Sequence, residues 1–287
     1  MARTVEIIGH RGARGLFPEN TLEGFRAAQN MGLHAFELDV GMTRDGVVVV
    51  SHDLALNPAI TRDETGQWLD GSGPLLHSLT FDEIQRYDVG RIRPGTPYRL
   101  LHRKQAAHDG ARIPTLDAVL KLSSHATFII ELKTDPRRKD GTSAPEAMAD
   151  AVLDIIDRTG SADRITLESF DWRGPRYVRR IRPQIQLAWL TWAETTRDAA
   201  LWWDRSFEGC SVPAMVAREG GGTWAPAHET LKRAEVEEAH ALGLKVVPWT
   251  VNRKSAIRRL IFWAVDGIIT DRPDTAFAEA GFQSLAR

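Results

Sequence analysis

The 287-residue chain has the composition of an ordinary globular protein, with 43% hydrophobic and 26% charged residues. This length allows one large domain or two small ones. The 37 Lys and Arg residues nearly balance the 38 Asp and Glu residues, so the net charge of −1 does not indicate a nucleic-acid partner. The lone Cys210 excludes an internal disulfide and a thiolate metal cluster.

The sequence also bears on location. No apolar run approaches the roughly 20 residues that span a bilayer, so we expect no stable membrane insertion. The N-terminus enters a strand pattern at once, without a signal peptide. We therefore expect a cytoplasmic protein, or a periplasmic one if a presequence has been removed. The oligomeric state is not defined by the sequence.

The first forty residues have the pattern of a βαβ unit. Residues 5–10 form a short apolar strand pattern. Asn20 or Thr21 is a suitable N-cap for the helix pattern that follows, and Gly32 ends that helix. A second strand is predicted at residues 36–40.

That second strand carries two acidic residues on one face. Side chains alternate along a strand, so Glu37 and Asp39 point the same way while Phe36, Leu38 and Val40 face apolar packing. Neighbouring carboxylates repel unless a proton or a cation lies between them. Exposed acids on an amphipathic strand are the alternative interpretation of this pair.

A hairpin is predicted directly after this strand. Asp45-Gly46 is the strongest short hairpin signal, and residues 47–50 form the return strand. The return strand leads into Ser51, His52 and Asp53. The hairpin therefore brings His52 back toward the paired carboxylates.

Residues 54–112 interrupt the alternation of strands and helices. They are rich in Gly, Pro and polar residues, and a structureless loop of this length is unusual in a compact domain. We therefore predict a small inserted subdomain or lid. One helix is expected at residues 80–87, with Thr80 and Glu83 as a capping box. The residues proposed for its small core are Trp68, Leu75, Leu76 and Tyr87.

Strand and helix patterns then alternate to the end of the chain. The predicted strands are residues 127–133, 164–170, 185–191, 209–216, 245–251 and 266–271. The predicted helices are residues 115–122, 145–159, 173–181, 193–204, 228–242, 254–264 and 273–280.

The whole pattern predicts an α/β fold with a parallel sheet. Eight strand–helix units in about 230 residues, with the insertion set aside, match a closed (β/α)8 TIM barrel better than an open sheet. The prediction is one barrel domain over residues 1–287, with its insertion at 54–112 after the second strand. An open doubly wound sheet is the alternative, although no Gly-x-Gly-x-x-Gly follows the first strand.

Polar residues concentrate where the predicted strands end, which is where barrels carry their active sites. Glu131 and Lys133 repeat the spacing of Glu37 and Asp39 on what would be the adjacent strand. Carboxylate oxygens suit a hard cation, so we predict one divalent cation, Mg²⁺ or Ca²⁺, held by Glu37, Asp39 and Glu131. The other polar or aromatic residues near strand ends are His10, Arg11, Glu168, Thr191, Trp224, Trp249, Asn252, Thr270 and Asp271.

Two histidines lie beside this predicted cation site. His10 and His52 could accept and donate protons near neutral pH, which suits hydrolysis of a phosphodiester. One would activate the attacking oxygen, and the other would protonate the leaving alcohol. Arg11 and Lys133 would hold the phosphoryl oxygens, and Trp249 is a candidate wall of the pocket.

Motifs across nearly the whole chain resemble those of the glycerophosphodiester phosphodiesterases. The matching stretches are residues 9–13, 18–21, 37–40, 43–49, 52–53, 114–116, 131–133, 169–171, 247–252 and 266–273. They occur in the order that the family has.

The resemblance implies a barrel with an insertion in place of residues 54–112. It also implies catalytic roles for His10 and His52, a divalent metal on Glu37, Asp39 and Glu131, and phosphate contacts from Arg11 and Lys133. In that family a small glycerophosphodiester is cleaved to an alcohol and glycerol 3-phosphate. The glycerol hydroxyl can attack first in such enzymes, which gives a cyclic phosphate.

Three other functions are alternatives to this one. A related phospholipase D or lyase would act on lysophospholipid phosphodiesters with a similar histidine pair. A zinc amidohydrolase barrel needs a His-x-His on its first strand, and the sequence contains none. A non-catalytic binding barrel would not need the histidines at positions 10 and 52.

Overall fold

The computed structural model describes residues 5–138, 141–204 and 209–285, with side chains described as far as Gly281. Its strands in chain order are β1 (Glu6–His10), β2 (Ala35–Met42), β3 (Val48–Val50), β4 (Thr127–Leu132), β5 (Ile165–Ser169), β6 (Gln186–Thr191), β7 (Thr223–Pro226), β8 (Lys245–Val246) and β9 (Gly267–Thr270).

The helices lie mainly between successive strands. They are α1 (Leu22–Asn30), α2 (Phe81–Ile84), α3 (Pro97–Leu101), α4 (Leu116–Leu120), α5 (Pro145–Thr159), α6 (Arg173–Ile181), α7 (Ala193–Arg197), α8 (Ala199–Trp202), α9 (Val212–Arg218), α10 (Arg233–Ala241), α11 (Lys254–Phe262) and α12 (Pro273–Leu285). None of these described helices is long and apolar enough to cross a membrane.

Eight strands form a parallel barrel in the order β8-β7-β6-β5-β4-β2-β1-β9. The strand outside this order, β3, pairs antiparallel with β2 as the return of the predicted hairpin. The two ends of the sheet meet through backbone hydrogen bonds. The amide of Asp266 donates to the carbonyl of Val246 at 2.9 Å, and the amide of Ile269 donates to the carbonyl of Pro248 at 3.0 Å. The barrel is nearly closed, which confirms the predicted (β/α)8 class.

The alternation of β2 separates the core from the site. Phe36, Leu38 and Val40 are fully buried and join the apolar layer between barrel and helices. Glu37 and Asp39 face the other way, toward the barrel interior, and are also buried. The prediction that these two faces differ is therefore confirmed, and the interpretation of exposed acids is wrong.

The predicted strand at residues 209–216 is wrong. The hydroxyl of Ser211 accepts a hydrogen bond from the amide of Ala214, and Pro213 lies in the first turn, so helix α9 begins at Val212. The sixth barrel strand is β7, which follows the Gly-rich stretch 220–222. The apolar residues of 209–216 belong to a helix face that packs on the barrel.

Other boundaries also differ from the prediction. The predicted helix at 193–204 is two short helices, α7 and α8, that are separated at Asp198. The predicted helix at 80–87 covers only Phe81–Ile84. Strand β8 has only two residues instead of spanning 245–251, because Pro248 has no amide hydrogen to extend the ladder. Helix α10 begins at Arg233 instead of residue 228, and Leu231 lies buried in the preceding loop.

The segment 54–112 has its own small apolar cluster. Helix α2 begins with the expected capping box of Thr80 and Glu83. Of the residues proposed for its core, Leu75 is 37% exposed and Trp68 lies under the guanidinium of Arg62. The buried cluster contains Val49, Leu56, Leu76, Ile84, Val89 and Ile113, with Tyr87 packed against it. The domain boundaries at 54 and 112 stay a prediction.

Candidate active site

Three carboxylates from two neighbouring strands meet at the carboxyl end of the barrel. Glu37 and Asp39 lie on β2, and Glu131 lies on β4, where the pairing places it beside Asp39. One oxygen of each carboxylate lies within 4.8 Å of the others. All three residues are buried, with exposed fractions of 3%, 1% and 8%. The sequence prediction that these three side chains converge agrees with this geometry.

The burial of these acids changes their protonation. Burial raises the pKa of Glu37 well above its usual value, and the charges of Asp39 and Glu168 raise it further. Burial also raises the pKa of Glu131 to about 7, although Lys133 opposes the shift. Burial disfavours the ionised form of Asp39 as well, but the charges of Lys133, His52 and Arg11 together outweigh it and hold this pKa well below its usual range. The cluster therefore carries more buried carboxyl groups than its own cations neutralise.

This arrangement fits a divalent cation. Within the described chain, Oδ1 of Asp39, Oδ1 of Asn20 and Oε2 of Glu168 are buried and have no hydrogen-bond partner. The ammonium of Lys133 lies 3.0 Å from Glu131 and 3.3 Å from Asp39. Hard cations such as Mg²⁺ and Ca²⁺ bind this kind of all-oxygen donor set. The unpartnered oxygens indicate that the residues present are suited to such an ion.

His10 borders the carboxylate cluster from β1. Its Nδ1 lies 2.6 Å from Oδ1 of Asp271, and its Nε2 lies 3.7 Å from Glu37. Burial lowers the pKa of His10 to about 4, with Arg14 contributing and Asp271 opposing. The imidazole is therefore neutral near pH 7. Because Nδ1 donates to a carboxylate, Nε2 is the nitrogen with a free lone pair.

Asp271 is itself held in place by several donors. Arg14 donates to its Oδ1 at 2.7 Å, and Asn252 donates to its Oδ2 at 2.7 Å. Burial disfavours the ionised form of Asp271, but Arg14 and His10 outweigh it and hold its pKa well below the usual range. Asp271 is thus a fixed carboxylate behind His10, in the position of an orienting group.

His52 has a similar arrangement on the loop after β3. Its Nδ1 lies 2.8 Å from Oδ1 of Asp53, and Asn57 donates to the other oxygen of Asp53 at 2.7 Å. Burial lowers the pKa of His52, and the charges of Lys133 and Arg11 lower it further. Its Nε2 is therefore the basic nitrogen, as in His10.

Arg11 lies on the tight loop that follows β1. Arg11 and Asn20 both have a φ of 53°, in the left-handed region that non-glycine residues rarely adopt. The guanidinium donates to Glu19 at 2.8 Å and its Nε lies 3.3 Å from Asp39. Its backbone amide donates to Glu37 at 3.0 Å. The strained loop thus fixes a cation directly beside the carboxylates.

A cavity of about 270 Å³ opens above these groups. His10 and His52 both border it, so the two histidines face one space. Trp249 forms part of one wall, and its indole nitrogen donates to the carbonyl of Ala225 at 2.9 Å. The apolar side of the cavity is completed by Phe170, Leu190, Trp192 and Ile269. The cavity therefore has a charged floor and an apolar wall, as small-molecule sites do.

Sequence reasoning placed some of these residues near the site without assigning them a role. Glu168 and Asp271 were recognised only as polar strand ends. Arg14 and Glu19 were not singled out, because they lie in the loop between β1 and α1 and carry no strand-end signal. Glu168 borders the cavity and is buried to an exposed fraction of 2%.

The comparisons with known proteins agree with this fold and site. The sequence profile of the Glycerophosphoryl diester phosphodiesterase family matches residues 10–275. The chain is 29% identical over 269 residues to the glycerophosphodiester phosphodiesterase of Caldanaerobacter subterraneus subsp. tengcongensis, covering 94% of this chain and 95% of that protein.

Solved structures of similar proteins have the same barrel fold. A crystal structure from Silicibacter pomeroyi assigned to this family superposes with a TM-score of 0.91 at 37% identity, covering 99% of this chain and 95% of that one. A phosphodiesterase from Oleispira antarctica, solved with the product sn-glycerol-3-phosphate, has the same fold, with a TM-score of 0.74 at 20% identity and 96% of each chain covered.

The barrel fold and the matches to known proteins define this protein as a phosphoric diester hydrolase built on a (β/α)8 barrel. The chain belongs to the glycerophosphoryl diester phosphodiesterase family.

Proposed function

We propose that the protein hydrolyses small glycerophosphodiesters to an alcohol and sn-glycerol 3-phosphate, with one divalent cation and a pair of histidines. The observation that carries this proposal is the meeting of three buried carboxylates within 4.8 Å, beside a cavity that both histidines border. The Oleispira antarctica relative binds sn-glycerol-3-phosphate as its product, which supports the same product here.

In this proposal Glu37, Asp39 and Glu131 hold Mg²⁺ or Ca²⁺. When bound, the cation supplies positive charge that polarises the phosphoryl group and offsets the charge gained in the transition state. The three carboxylates keep that charge at the carboxyl end of β2 and β4. The three carboxylate oxygens that lie within 4.8 Å of one another support this donor set, as does Oδ1 of Asp39, which accepts no hydrogen bond and lies 3.3 Å from the ammonium of Lys133.

His10 and His52 are proposed as the acid–base pair. One accepts the proton of the attacking oxygen, from water or the glycerol hydroxyl, and the other protonates the leaving alcohol. Burial keeps both imidazoles neutral in the free protein, which suits the base. The negative charge of a bound phosphodiester favours protonation of the partner imidazole. Asp271 and Asp53 orient the rings through Nδ1.

Three further residues are proposed to bind the substrate. Arg11 and Lys133 face the phosphoryl oxygens, because their charged groups lie beside the carboxylates and within the same site. Trp249 packs against the carbon skeleton of the substrate from the apolar wall. The donors hold the phosphate, and the indole excludes water from one side of it.

We also propose that residues 1–287 form a single barrel domain in which 54–112 is an insertion. Its apolar cluster is shared with Val49 of β3 and with Ile113, so it is joined to the barrel at both ends. Tyr98 of the insertion donates a hydrogen bond to Glu19, the partner of Arg11. The insertion therefore supports the loop that holds the phosphate-binding arginine.

A turnover assay over two substrate classes tests the proposed reaction. Purified protein is given glycerophosphocholine, glycerophosphoethanolamine and glycerophosphoglycerol, and lysophosphatidylcholine as the lipid analogue. We expect release of glycerol 3-phosphate from the deacylated diesters. Turnover of lysophosphatidylcholine but of none of the deacylated diesters would instead support the phospholipase D or lyase alternative. The products would then be choline and either lysophosphatidate or cyclic lysophosphatidate.

A further inference from the structure

The insertion contains a strongly basic segment. The twenty residues 89–108 contain four arginines and one lysine but no aspartate or glutamate, whereas the whole chain has a net charge of −1. Arg91 and Arg93 form ion pairs with Asp109 and Asp70. Among the described residues, the exposed side chains of Arg103 and Lys104 have no hydrogen bond or ion pair. The charge of Lys104 acts on the carboxyl group of Asp274, whose ion-pair partner is Arg272. This end of the segment therefore carries two cations that are not held in an ion pair.

Two large apolar side chains precede these two cations in the sequence. Leu100 and Leu101, at the end of helix α3, are 59% and 78% exposed. A single exposed leucine is common on protein surfaces and needs no explanation. Two adjacent ones, separated from Arg103 and Lys104 only by the buried His102, form a small amphipathic surface with these cations. Exposed apolar groups of this kind mark interaction sites.

The helix that presents the leucines is firmly held. Thr96 caps α3 by accepting a hydrogen bond from the amide of Arg99, and Pro97 begins its first turn. The rings of Tyr98 and His102 pack at 4.7 Å. Helix α3 contacts the rest of the protein through the hydrogen bonds of Tyr98 and ends at the buried His102, whereas the two leucines stay exposed.

Helix α3 contacts a residue that borders the candidate cavity. Tyr98 donates to Glu19 and accepts from Arg14 at 3.3 Å, and Arg14 borders the cavity. Just after α3, Gln105 donates to the carbonyl of Arg14 at 2.7 Å. One side chain, Arg14, therefore connects α3 with the candidate cavity.

We propose that Leu100, Leu101, Arg103 and Lys104 form a peripheral docking surface for a membrane rich in anionic phospholipids. Leucines that protrude from the surface reach the boundary between headgroups and acyl chains, while the adjacent cations remain at the level of the lipid phosphates. A glycerophosphodiester is also the headgroup chemistry of a phospholipid. Only this last point depends on the proposed function, and the binding test below does not require turnover.

Vesicle co-sedimentation tests the proposal on the full chain. Vesicles of phosphatidylcholine alone are compared with vesicles of equimolar phosphatidylcholine and phosphatidylglycerol. We expect the protein to sediment with the anionic vesicles and to be released by high salt. The double variant Leu100→Ser/Leu101→Ser should bind about a hundredfold more weakly, because two apolar side chains no longer enter the lipid. Arg103→Gln/Lys104→Gln should bind about thirtyfold more weakly.

Matched controls come from the opposite end of the barrel. Leu242, which is 44% exposed, ends helix α10, and the exposed Lys245 begins strand β8. Leu242→Ser and Lys245→Gln should therefore bind vesicles as the unchanged protein does. The docking-surface variant Leu100→Ser/Leu101→Ser should also keep the thermal midpoint of the unchanged protein and its turnover of soluble glycerophosphocholine.

Several results would contradict the proposed docking surface. They are failure of the protein to sediment with anionic vesicles, equal binding to neutral vesicles, and full binding by the leucine variant. If only the charge variant lost binding, the patch would be a general site for polyanions and not a lipid surface. Loss of turnover in His10→Ala with normal sedimentation would separate this test from that of the catalytic proposal.

Discussion

Each imidazole of the site is held by a carboxylate at one nitrogen. His10 contacts Asp271 and His52 contacts Asp53, in both cases through Nδ1. The hydrogen bond selects the tautomer and leaves Nε2 as the nitrogen with a free lone pair. Burial is the largest cause of the lowered pKa of both rings, so the site keeps two neutral imidazoles near pH 7.

Replacement of either histidine should stop the reaction without unfolding the protein. We expect His10→Ala and His52→Ala each to lower kcat by about a thousandfold, because a positioned acid or base contributes that much. His34→Ala changes an exposed histidine outside the cavity and is the control. Steady-state turnover and thermal melting measure the two effects. Near-normal kcat in either site variant would refute the acid–base pair.

Asp271 is predicted to position His10. Asp271→Asn keeps the size of the side chain but removes the charge that opposes Arg14 and stabilises a protonated His10. We expect kcat to fall by about a hundredfold with little change in KM. Asp274→Asn, which removes the partner of Arg272 outside the cavity, should leave kcat unchanged. A rise in KM with unchanged kcat would assign Asp271 to substrate binding instead.

The sequence predicts the strand-end residues of the site better than its loop residues. Glu37, Asp39 and Glu131 follow from strand alternation and from the adjacency of two strands. Glu19 and Asn20 reach the site only because the loop after β1 turns back through two residues with φ of 53°. Sequence patterns do not specify such backbone conformations for non-glycine residues, so these contacts could not be foreseen.

The strands position the candidate site in two ways, through the pairing register of β2 with β4 and through a close backbone contact at the end of β1. Pairing of Asp39 with Glu131 in β2 and β4 sets the carboxylates side by side. Gly9 in β1 lets the following loop fold back, since a Cβ there would lie 1.9 Å from the carbonyl oxygen of Gly12 and 2.4 Å from Leu33. The position of His10 therefore depends on a glycine that precedes it.

Gly9→Ala should damage both stability and catalysis. The added methyl group would force the backbone at Gly12 to move, and overpacking of this kind costs about 2–3 kcal/mol. Urea unfolding and kcat measure the two effects. Gly281→Ala, where a Cβ would meet nothing within 4 Å, is the control and should be neutral or slightly stabilising. An unchanged unfolding midpoint for Gly9→Ala would contradict the close approach.

Element prediction failed where apolar residues fit two structures. Residues 209–216 have the apolar content of a strand, yet they contain helix α9. A short apolar run is consistent with either element, and the helix start at Ser211 and Pro213 was the signal that should have decided it. The long helix α5 was predicted with its observed bounds, because Pro145 begins it and Gly160 ends it in the left-handed conformation.

At the scale of the whole molecule, the segment 54–112 lies between β3 and α4 of a nearly closed barrel. This segment contacts the barrel through an apolar cluster and through Tyr98, which donates to Glu19 in the loop after β1. The barrel class followed from the number and spacing of strand patterns. The contacts of the segment 54–112 could not be predicted from the sequence, because irregular segments have no periodicity from which packing can be inferred. The expected cytoplasmic location stays a prediction.

The single-domain proposal predicts one cooperative unfolding transition. Ile84 is fully buried in the cluster of the insertion, so Ile84→Ala should lower the free energy of unfolding by about 3 kcal/mol. Urea unfolding is followed by tryptophan fluorescence and by circular dichroism. Both probes should shift together, while Leu242→Ala at an exposed position should shift neither. A separate early transition in Ile84→Ala would make 54–112 an independent unit.

The central claim is that acidic side chains from β2 and β4 share one catalytic cation. Its most direct test is turnover of a glycerophosphodiester by protein stripped with EDTA, measured again as Mg²⁺ or Ca²⁺ is added back. We predict that the stripped protein is inactive, that one of these ions restores turnover, and that Asp39→Asn protein is not restored at the same ion concentration. Full turnover by the metal-free protein would contradict the claim.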